Sequence, residues 1–242
     1  MRVAILSDIH GNFQALSAVM KDIGACDKIL CLGDLAMAGP EPERVIDFIQ
    51  AQDNWITIQG NTDKLIGDFS QKLVDDMKSI FPVMANALLD DVKIIDEKRK
   101  EYLKNLPSQN ELEIEGVKIL MVHGSPRRNN EDILPDFSIE KVEEIIDGVD
   151  ADLIFCGHTH VPCGYQTNNR KTVVNVGSVG RPMTENPQAC YVIANFENGA
   201  FTIEHRFVDY DRKQASELMK LRGFEGCEKL SDMILHPTQR HV

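Results

Sequence analysis

Residues 3–12 read VAILSDIHGN, an apolar run that ends in an aspartate and a histidine two positions apart. The run at residues 3–6 predicts a strand. Side chains two positions apart on an extended chain point the same way, so we expect Asp8 and His10 to approach one ion together from the strand's carboxyl end. In a helix the two side chains would diverge. The stretch therefore predicts a sheet whose strand ends carry metal ligands.

Four more apolar runs end in a side chain that can bind a metal. The runs occupy residues 28–32, 55–59, 117–122 and 152–156. The ligand-type residues that follow them are Asp34, Asn61, His123, His158 and His160. Gly33 allows a close backbone approach or a turn that exposes the next carboxylate. Open α/β sheets bind ligands outside the carboxyl ends of their strands, so we expect the five junctions to meet at one crevice.

Together the junctions offer two carboxylates, one amide oxygen and four imidazoles, enough for two divalent cations. The candidate metal ligands are Asp8, His10, Asp34, Asn61, His123, His158 and His160. A bridging Asp34 is the most economical arrangement, since one distal histidine then joins each ion. Paired metals about 3.5–4 Å apart clamp the oxygens of a phosphoryl displacement and acidify a water. The predicted nucleophile is therefore hydroxide rather than a side chain.

Each junction has a simpler explanation when taken alone. A Gly-Asp or Gly-Asn pair after a strand, as at Asp34 and Asn61, is usually a turn. A lone His123 would more often be a partly buried histidine with its hydrogen bonds satisfied. The recurrence of ligand-type residues at the same place in successive strand-loop units favours a metal site over a set of unrelated turns.

The five blocks resemble those of the calcineurin-like metallophosphoesterase superfamily over about residues 1–205. They are Asp8-Ile9-His10, Gly33-Asp34, Gly60-Asn61, His123-Gly124 and Gly157-His158-Thr159-His160. The resemblance implies an α/β fold, a four-layer α/β/β/α sandwich of two mainly mixed sheets, with a dinuclear site at one edge. It also implies that His160 joins Asp8 and His10 on one ion, and that His158 joins Asn61 and His123 on the other.

One block departs from the family pattern. Many members follow the asparagine with a histidine that protonates the leaving group, whereas this chain reads Asn61-Thr62-Asp63. Positioned acid catalysis is commonly worth about 10²–10⁴-fold, so unactivated alkyl monoesters are disfavoured as substrates relative to activated diesters and phosphoanhydrides. Asp63 could replace the acid only if burial or neighbours raised its pKa. An exposed turn aspartate, or a residue that supports the ligands, is favoured.

Residues 175–182, NVGSVGRP, resemble the segment that closes the site in small bacterial and archaeal members of the superfamily. These members include phosphodiesterases and diadenosine polyphosphatase-like proteins. Arg181 could bind phosphate through two hydrogen bonds, or be a surface arginine after a Gly-rich turn. Ser178 and Asp63 are the other predicted substrate contacts. We expect the neighbouring pair Arg127-Arg128 to be solvated.

Composition is that of a soluble globular protein, with 242 residues, 43% hydrophobic and 26% charged, and is consistent with one domain over residues 1–242. The net charge of −12 opposes broad binding of nucleic acid and favours a small phosphorylated substrate. The amino terminus lacks the features of a secretory signal, and no run is long enough to span a membrane. The six cysteines are expected to be free, and the location cytoplasmic. No particular oligomeric state is predicted.

Alternating strand and helix patterns extend to Asn61, and helix-rich sequence follows at about 63–106. That insertion could overhang the crevice or form a packing layer. Hairpin signals around residues 115–116, 168–170 and 198–199 predict a largely antiparallel second sheet. A helix is expected at 138–147, and a C-terminal helix and polar tail at about 211–242. His236 and His241 are interpreted as tail residues rather than ligands.

The sequence therefore predicts a metal-dependent phosphoesterase for a diester or anhydride that is nucleotide-like. Asp34, Asn61 and His123 are the predicted catalytic residues. Manganese is the expected ion, and iron, zinc, nickel and magnesium also suit such a site. A diadenosine polyphosphate or nucleoside triphosphate hydrolase is the alternative, favoured if apolar or aromatic residues of 63–106 line the crevice. The alternative of another class is a catalytically weak protein-binding scaffold.

Overall fold

The computed structural model describes residues 1–240, so the prediction for His241 lies outside the described residues. Over this range the chain forms ten strands and nine helices. The strands are β1 (Arg2–Leu6), β2 (Lys28–Cys31), β3 (Trp55–Thr57), β4 (Gln109–Ile114), β5 (Val117–Val122), β6 (Leu153–Cys156), β7 (Cys163–Gln166), β8 (Thr172–Asn175), β9 (Ala189–Glu197) and β10 (Ala200–Val208). The helices are α1 (Phe13–Ile23), α2 (Pro42–Gln50), α3 (Asn61–Gly67), α4 (Gln71–Lys78), α5 (Pro82–Ile94), α6 (Glu97–Asn105), α7 (Ile139–Ile145), α8 (Arg212–Leu221) and α9 (Cys227–Leu235).

The strands form two mixed five-stranded sheets, of order β10-β9-β1-β2-β3 and β4-β5-β6-β8-β7. In the first sheet β1, β2 and β3 run parallel, and β9 pairs antiparallel with β1. In the second, β5, β6 and β8 run parallel, while β4 and β7 are antiparallel edge strands. The five strands that precede the predicted ligands are β1, β2 and β3, which run parallel in the first sheet, and β5 and β6, which run parallel in the second.

The prediction of a largely antiparallel second sheet is wrong. The three hairpins form where the turn signals placed them, but the β9–β10 hairpin joins the first sheet, with Val3 opposite Ala194. A turn signal specifies only the pairing of the two strands that flank it. The sheet that receives the hairpin depends on β1, about 190 residues earlier in the chain.

Side-chain alternation along β1 separates the layers of the fold. Val3 and Ile5 face the second sheet and pack in a core with Met121 and Phe155, whereas Leu6 faces the helices on the outer side. Residues of α7 cover the outer face of the second sheet. Helices therefore flank two facing sheets, which confirms the predicted α/β/β/α sandwich.

Local capping explains where two of the helices that follow ligand loops begin. The side chain of Asn12 accepts a hydrogen bond from the N–H of Ala15 at the start of α1, 3.1 Å away. Ser138 accepts from the N–H of Lys141 at the start of α7, 3.2 Å away. The predicted helix at 138–147 is thus confirmed, with its end slightly earlier.

The predicted polar tail is partly wrong, because residues 227–235 form α9. Cys227 and Leu230 are buried in the core on the helix-covered side of the first sheet. Apolar residues from the helices of the region 63–106 belong to the same core. Charged residues between these apolar positions weaken the periodic signal, so packing rather than pattern reveals the helix. Within the described chain no helix has the length and apolar character needed to cross a membrane. The six cysteines, all within the described residues, are free thiols.

Candidate metal centre

The five strand-to-loop junctions meet at one edge of the sandwich. Ligand atoms of Asp8, His10 and His160 lie within 4.8 Å of one another, and so do those of Asp8, Asp34 and His123. Asn61 Oδ1 lies 3.0 Å from His123 Nε2 and 2.8 Å from His158 Nδ1. All seven predicted metal ligands are therefore neighbours in space.

The backbone between Asp8 and His10 was expected to be extended. It is not extended at these junctions. Five of the seven ligand residues have positive φ: Asp8 (55°), His10 (47°), Asp34 (54°), His158 (65°) and His160 (62°). Non-glycine residues rarely adopt this left-handed region, and such strain concentrates at functional sites. The strands end before the ligands, and tight left-handed turns aim the side chains at one another.

Backbone carbonyls determine which nitrogen of three histidines faces the centre. Nδ1 of His10 lies 3.0 Å from the Met37 carbonyl, Nδ1 of His123 lies 2.7 Å from that of Leu32, and Nδ1 of His160 lies 2.6 Å from that of Arg181. A carbonyl only accepts, so in the neutral ring Nδ1 carries the proton and Nε2 presents a lone pair. Those lone pairs point into the centre.

The carboxylates add further acceptors at the same place. Asp34 Oδ1 accepts from the N–H of Thr62, while its Oδ2 lies 3.6 Å from His10 Nε2 and 3.4 Å from His123 Nε2. Asp8 Oδ2 accepts from the N–H of His158, but the buried Asp8 Oδ1 has no hydrogen-bond donor. Asp8 Oδ1 lies 3.1 Å from His160 Nε2. Acceptors that converge without donors fit cations, and the hard oxygen and imidazole ligands suit divalent metals.

Burial and neighbouring charges shift the pKa values of three residues in the centre. Burial favours the neutral form of Asp34, but His123 and His10 outweigh it and lower the pKa of Asp34 to about 2. Burial likewise opposes protonation of His123, but Asp34 and Asp8 outweigh it and raise the pKa of His123 to about 10. Burial, and then His160, lower the pKa of His10 to about 4. A proton on His123 thus offsets the carboxylates in the metal-free protein, and a bound cation would take over that role.

The structure buries two of the three predicted substrate contacts. Asp63 is fully buried, and its carboxylate accepts from the N–H groups of Asp34, Leu35 and Gly60. Burial, and then the charge of Asp34, raise the pKa of Asp63 to about 7. Asp63 is therefore not an exposed turn residue, and it supports the loop that carries Asp34.

Ser178, the second of these residues, is also fully buried. Its hydroxyl donates to the carbonyl of Asp8 and accepts from the N–H of Arg181, at 2.8 Å each. These bonds tie the Gly-rich segment to the first ligand loop. Ser178 therefore positions Arg181 and Asp8.

Arg181 lies beside the centre, half-buried. Its guanidinium contacts two sulfur atoms, Met84 Sδ at 3.5 Å and Met233 Sδ at 3.9 Å, and within residues 1–240 it donates to no carboxylate. Burial lowers the pKa of Arg181. A desolvated cation with no anionic partner is costly unless it meets an anion in function. Arg128, by contrast, was expected to be solvated. Its side chain is 70% exposed, and it pairs with Glu131.

The region 63–106 packs against the core, and one of its helices also reaches Arg181 beside the metal centre. Helix α5 packs in the core, and its fully buried Asp91 accepts from the N–H of Ala38 and from Arg222 Nη2. Ala38 follows Met37, whose carbonyl holds His10. The same helix supplies Met84 against Arg181. These long-range contacts of charged residues leave no local sequence pattern, which is why sequence reasoning missed Asp91 and Arg222.

Adding Mn²⁺ to metal-free protein is expected to raise its melting temperature. A ligand at 100 times its Kd stabilises the fold by about 2.7 kcal/mol, which corresponds to roughly 5–10 °C for each ion in a chain of this size. Differential scanning calorimetry with a manganese titration measures the shift, and a chelator should reverse it. A melting temperature that does not respond to any divalent ion would contradict the metal site.

Replacing Gly33 with alanine is expected to destabilise the fold by about 2–6 kcal/mol and to weaken metal binding. Gly33 has φ of +94°, and a Cβ there would lie 2.2 Å from the Gly60 nitrogen, forcing the second and third ligand loops apart. Gly24→Ala is the matched control, because Gly24 has φ of +61° but nothing within 4 Å of its added Cβ. It should cost only about 1–2 kcal/mol. Equal urea midpoints for the two variants would refute the steric argument.

Comparisons with known proteins agree with this geometry. The model of the calcineurin-like phosphoesterase superfamily domain matches residues 1–199. The uncharacterized protein MJ0912 of Methanocaldococcus jannaschii is 31% identical over 233 residues, which cover 89% of this chain and 90% of that protein. The crystal structure of the hypothetical protein PH1004 from Pyrococcus horikoshii OT3 has a TM-score of 0.88 at 25% identity and covers 99% of both chains. That of a metallophosphoesterase from Sphaerobacter thermophilus has a TM-score of 0.81 at 25% identity and covers 98% of both chains.

The family match extends over most of the chain and includes every ligand loop of the centre. The related structures extend the similarity through the C-terminal helices. The chain therefore belongs to the calcineurin-like phosphoesterase superfamily, a metal-dependent family of phosphoester hydrolases.

Proposed function

We propose that this protein hydrolyses a phosphodiester or phosphoanhydride of a small nucleotide-like substrate, using two divalent metal ions. The observation that carries the proposal is the position of Asp34 Oδ2, between His10 Nε2 and His123 Nε2. A carboxylate oxygen between two groups of metal ligands is suited to bridge two ions. Manganese is the ion we propose, because the mixed oxygen and imidazole ligand set accommodates it.

The contacts favour one division of the ligands. His160 Nε2 lies 3.2 Å from His10 Nε2 and 3.1 Å from Asp8 Oδ1, so these three residues would hold one ion. His158 Nδ1 and His123 Nε2 both face Asn61 Oδ1, so these three would hold the other. Asp34 would serve both. When bound, the ions would acidify a water and offset the negative charge that develops on the phosphoryl oxygens.

Arg181 is the residue that we propose for binding the phosphate. Its cation lies beside His10 without a carboxylate partner among the described residues, and Ser178 fixes its backbone. A guanidinium can bind two phosphate oxygens at once, which orients the phosphorus as well as holding it. The negative charge of the substrate would replace the missing partner.

The leaving group sets the class of substrate. Thr62 follows Asn61, where many relatives have a histidine that protonates the leaving group. Asp63 is buried against backbone N–H groups. No side chain at this position can deliver a proton to a poor leaving group. Substrates whose leaving group departs as a stable anion, such as aryl or nucleotide diesters and anhydrides, are therefore favoured over alkyl monoesters.

The diadenosine polyphosphate alternative required apolar residues from the region 63–106 around the crevice. The pocket between His10 and Arg181 is lined instead by C-terminal residues that include Tyr210, Leu230 and Met233. It leaves only about 20 Å³ of free volume, room for about one water molecule. A pocket of this size holds neither a diester nor a dinucleotide, so turnover with the two substrates decides between them.

The test is hydrolysis by metal-stripped protein reconstituted with Mn²⁺. An activated aryl phosphodiester, its monoester and diadenosine tetraphosphate are compared at equal concentration. Manganese-dependent turnover with the diester ahead of the monoester is the expected result. Preference for diadenosine tetraphosphate would select the alternative enzyme. No turnover with manganese, iron, zinc, nickel or magnesium would favour the catalytically weak binding scaffold.

We also propose a cytoplasmic location. Disulfides persist in oxidising compartments and are rare in the cytosol, and all six cysteines of this chain are free thiols. Fractionation of cells that express the protein checks this proposal, and recovery outside the cytoplasm would contradict it.

A further inference from the structure

A carboxylate that was not predicted lies beside one of the candidate ligands. Asp132, in the loop between β5 and α7, has Oδ1 at 3.4 Å from His158 Nε2. The other nitrogen of that ring, Nδ1, faces Asn61 Oδ1 at 2.8 Å. His158 differs in this respect from the other three histidines, whose Nδ1 atoms face backbone carbonyls.

Two acceptors therefore compete for the proton of a neutral His158 ring, Asn61 Oδ1 beside Nδ1 and Asp132 Oδ1 beside Nε2. A neutral imidazole has one N–H and one lone pair, and its neighbouring acceptors select the tautomer. Only the Nε2–H form, with Asp132 as its acceptor, leaves Nδ1 with a lone pair for a cation beside Asn61. Without Asp132, the N–H would be free to move to Nδ1 and donate to Asn61 Oδ1, which would remove two ligands at once.

The end of the described chain holds Asp132 in place. Arg240 Nη2 donates to both carboxylate oxygens of Asp132, at 2.6 and 2.7 Å. Arg240 Nη1 reaches the carbonyl of Thr159, between the two distal histidines, at 3.4 Å. The N–H of Arg240 donates to the carbonyl of Met183, which follows the Gly-rich segment. The tail thus contacts both loops that border His158.

We propose that Asp132 and Arg240 are positioning residues for the second metal, so that the C-terminal tail is a functional part of the metal site. The proposal rests on the two-metal function proposed above. Partners of this kind orient metal-binding histidines, and their loss typically costs about 10–100-fold in metal affinity. Asp132 selects the tautomer of His158, and Arg240 fixes the direction of the carboxylate.

The first test needs no metal and no activity. In metal-free protein labelled with ¹⁵N at histidine, two-bond couplings between ring protons and nitrogens report the tautomer of His158. The wild-type ring should populate the Nε2–H form beside the Nδ1–H form that donates to Asn61, and Asp132→Ala should raise the share of the Nδ1–H form. Asp132→Asn keeps an acceptor oxygen and should retain most of the Nε2–H form. A wild-type ring wholly in the Nδ1–H form, or a tautomer ratio that Asp132→Ala leaves unchanged, would overturn the proposal.

The second test counts manganese ions and measures their affinities by electron paramagnetic resonance. Asp132→Ala should weaken one of the two ions about 10–100-fold and leave the other unchanged. Arg240→Ala should weaken the same ion, and Arg240→Lys should restore only part of the loss because lysine cannot form the two parallel bonds. Gln239→Ala is the matched control, since Gln239 contacts Glu185 instead.

Failure of the inference is distinguishable from failure of the proposed function. Wild-type protein that binds two ions, with variants that bind both equally well, would overturn the role of Asp132 and Arg240 alone. Wild-type protein that binds fewer than two ions would overturn the two-metal function, and the tautomer measurement would still decide the role of Asp132. Should Asp132→Ala fail to fold, the Arg240→Ala variant carries both tests, because its side chain is 27% exposed on the tail.

Discussion

Asp34→Asn is expected to lower kcat/KM for an activated phosphodiester by more than about 10³-fold. Loss of a single stabilising donor in an active site costs about 10²–10³-fold, and Asp34 would serve both ions at once. Asparagine can still accept from the N–H of Thr62 through its oxygen. Its NH₂ group then replaces Oδ2 between the two histidines, and an amide NH₂ group offers no lone pair to a cation.

The measurement is steady-state turnover at saturating Mn²⁺, with the number of bound ions determined on the same samples. Asp53→Asn is the matched control, because Asp53 is exposed in the turn before β3 and the substitution makes the same change in charge. It should leave both quantities unchanged. Asp34→Asn protein that binds two ions and turns over within tenfold of wild type would refute the bridging role.

Arg181→Ala is expected to lower turnover of a phosphodiester by about 10²–10³-fold, the usual loss when one donor to a developing charge is removed. The ions should still bind, because the carbonyl that holds His160 belongs to the backbone of residue 181. Arg181→Lys should recover only part of the loss, since an ammonium cannot reproduce the planar fork. Stability should stay the same or rise, because the half-buried guanidinium contacts two methionine sulfurs and, among the described residues, donates to no carboxylate.

Kinetics, manganese stoichiometry and melting temperature of the three proteins check this expectation. Arg128→Ala is the matched control: its guanidinium is 70% exposed and pairs with Glu131, so its removal should leave turnover unchanged. A lower melting temperature with unaltered turnover for Arg181→Ala would assign Arg181 a structural role and remove it from phosphate binding.

Local sequence patterns predicted much of this protein's secondary structure. The apolar runs predicted β1, β2, β3, β5 and β6, and the hairpin signals predicted three of the four antiparallel pairs. They failed where the outcome depended on distant partners. The β9–β10 hairpin joins the first sheet because it pairs with β1, and α9 is helical because its sparse apolar residues reach a core shared with α5.

The same division holds within the site. The seven candidate ligands could be identified because each follows an apolar run, and a strand end is a feature of a few consecutive residues. The substrate contacts were harder to identify, since Asp63 and Ser178 bond to backbone groups of loops far away in the chain. The residue type shows which chemistry a side chain can perform, but it does not show whether that side chain is exposed.

The sequence by itself determined the strand and helix pattern of an α/β fold and the kinds of ligand at each strand end, because both follow from side-chain periodicity and residue type over short distances. Only the tertiary structure decided how those ligands are used. Left-handed turns aim them, carbonyls such as that of Met37 choose the free nitrogen of a ring, and Arg240 reaches Asp132 across 108 residues. Such contacts join residues with no local relation, so their geometry exists only after the sheets have packed and excluded water from the loops between them.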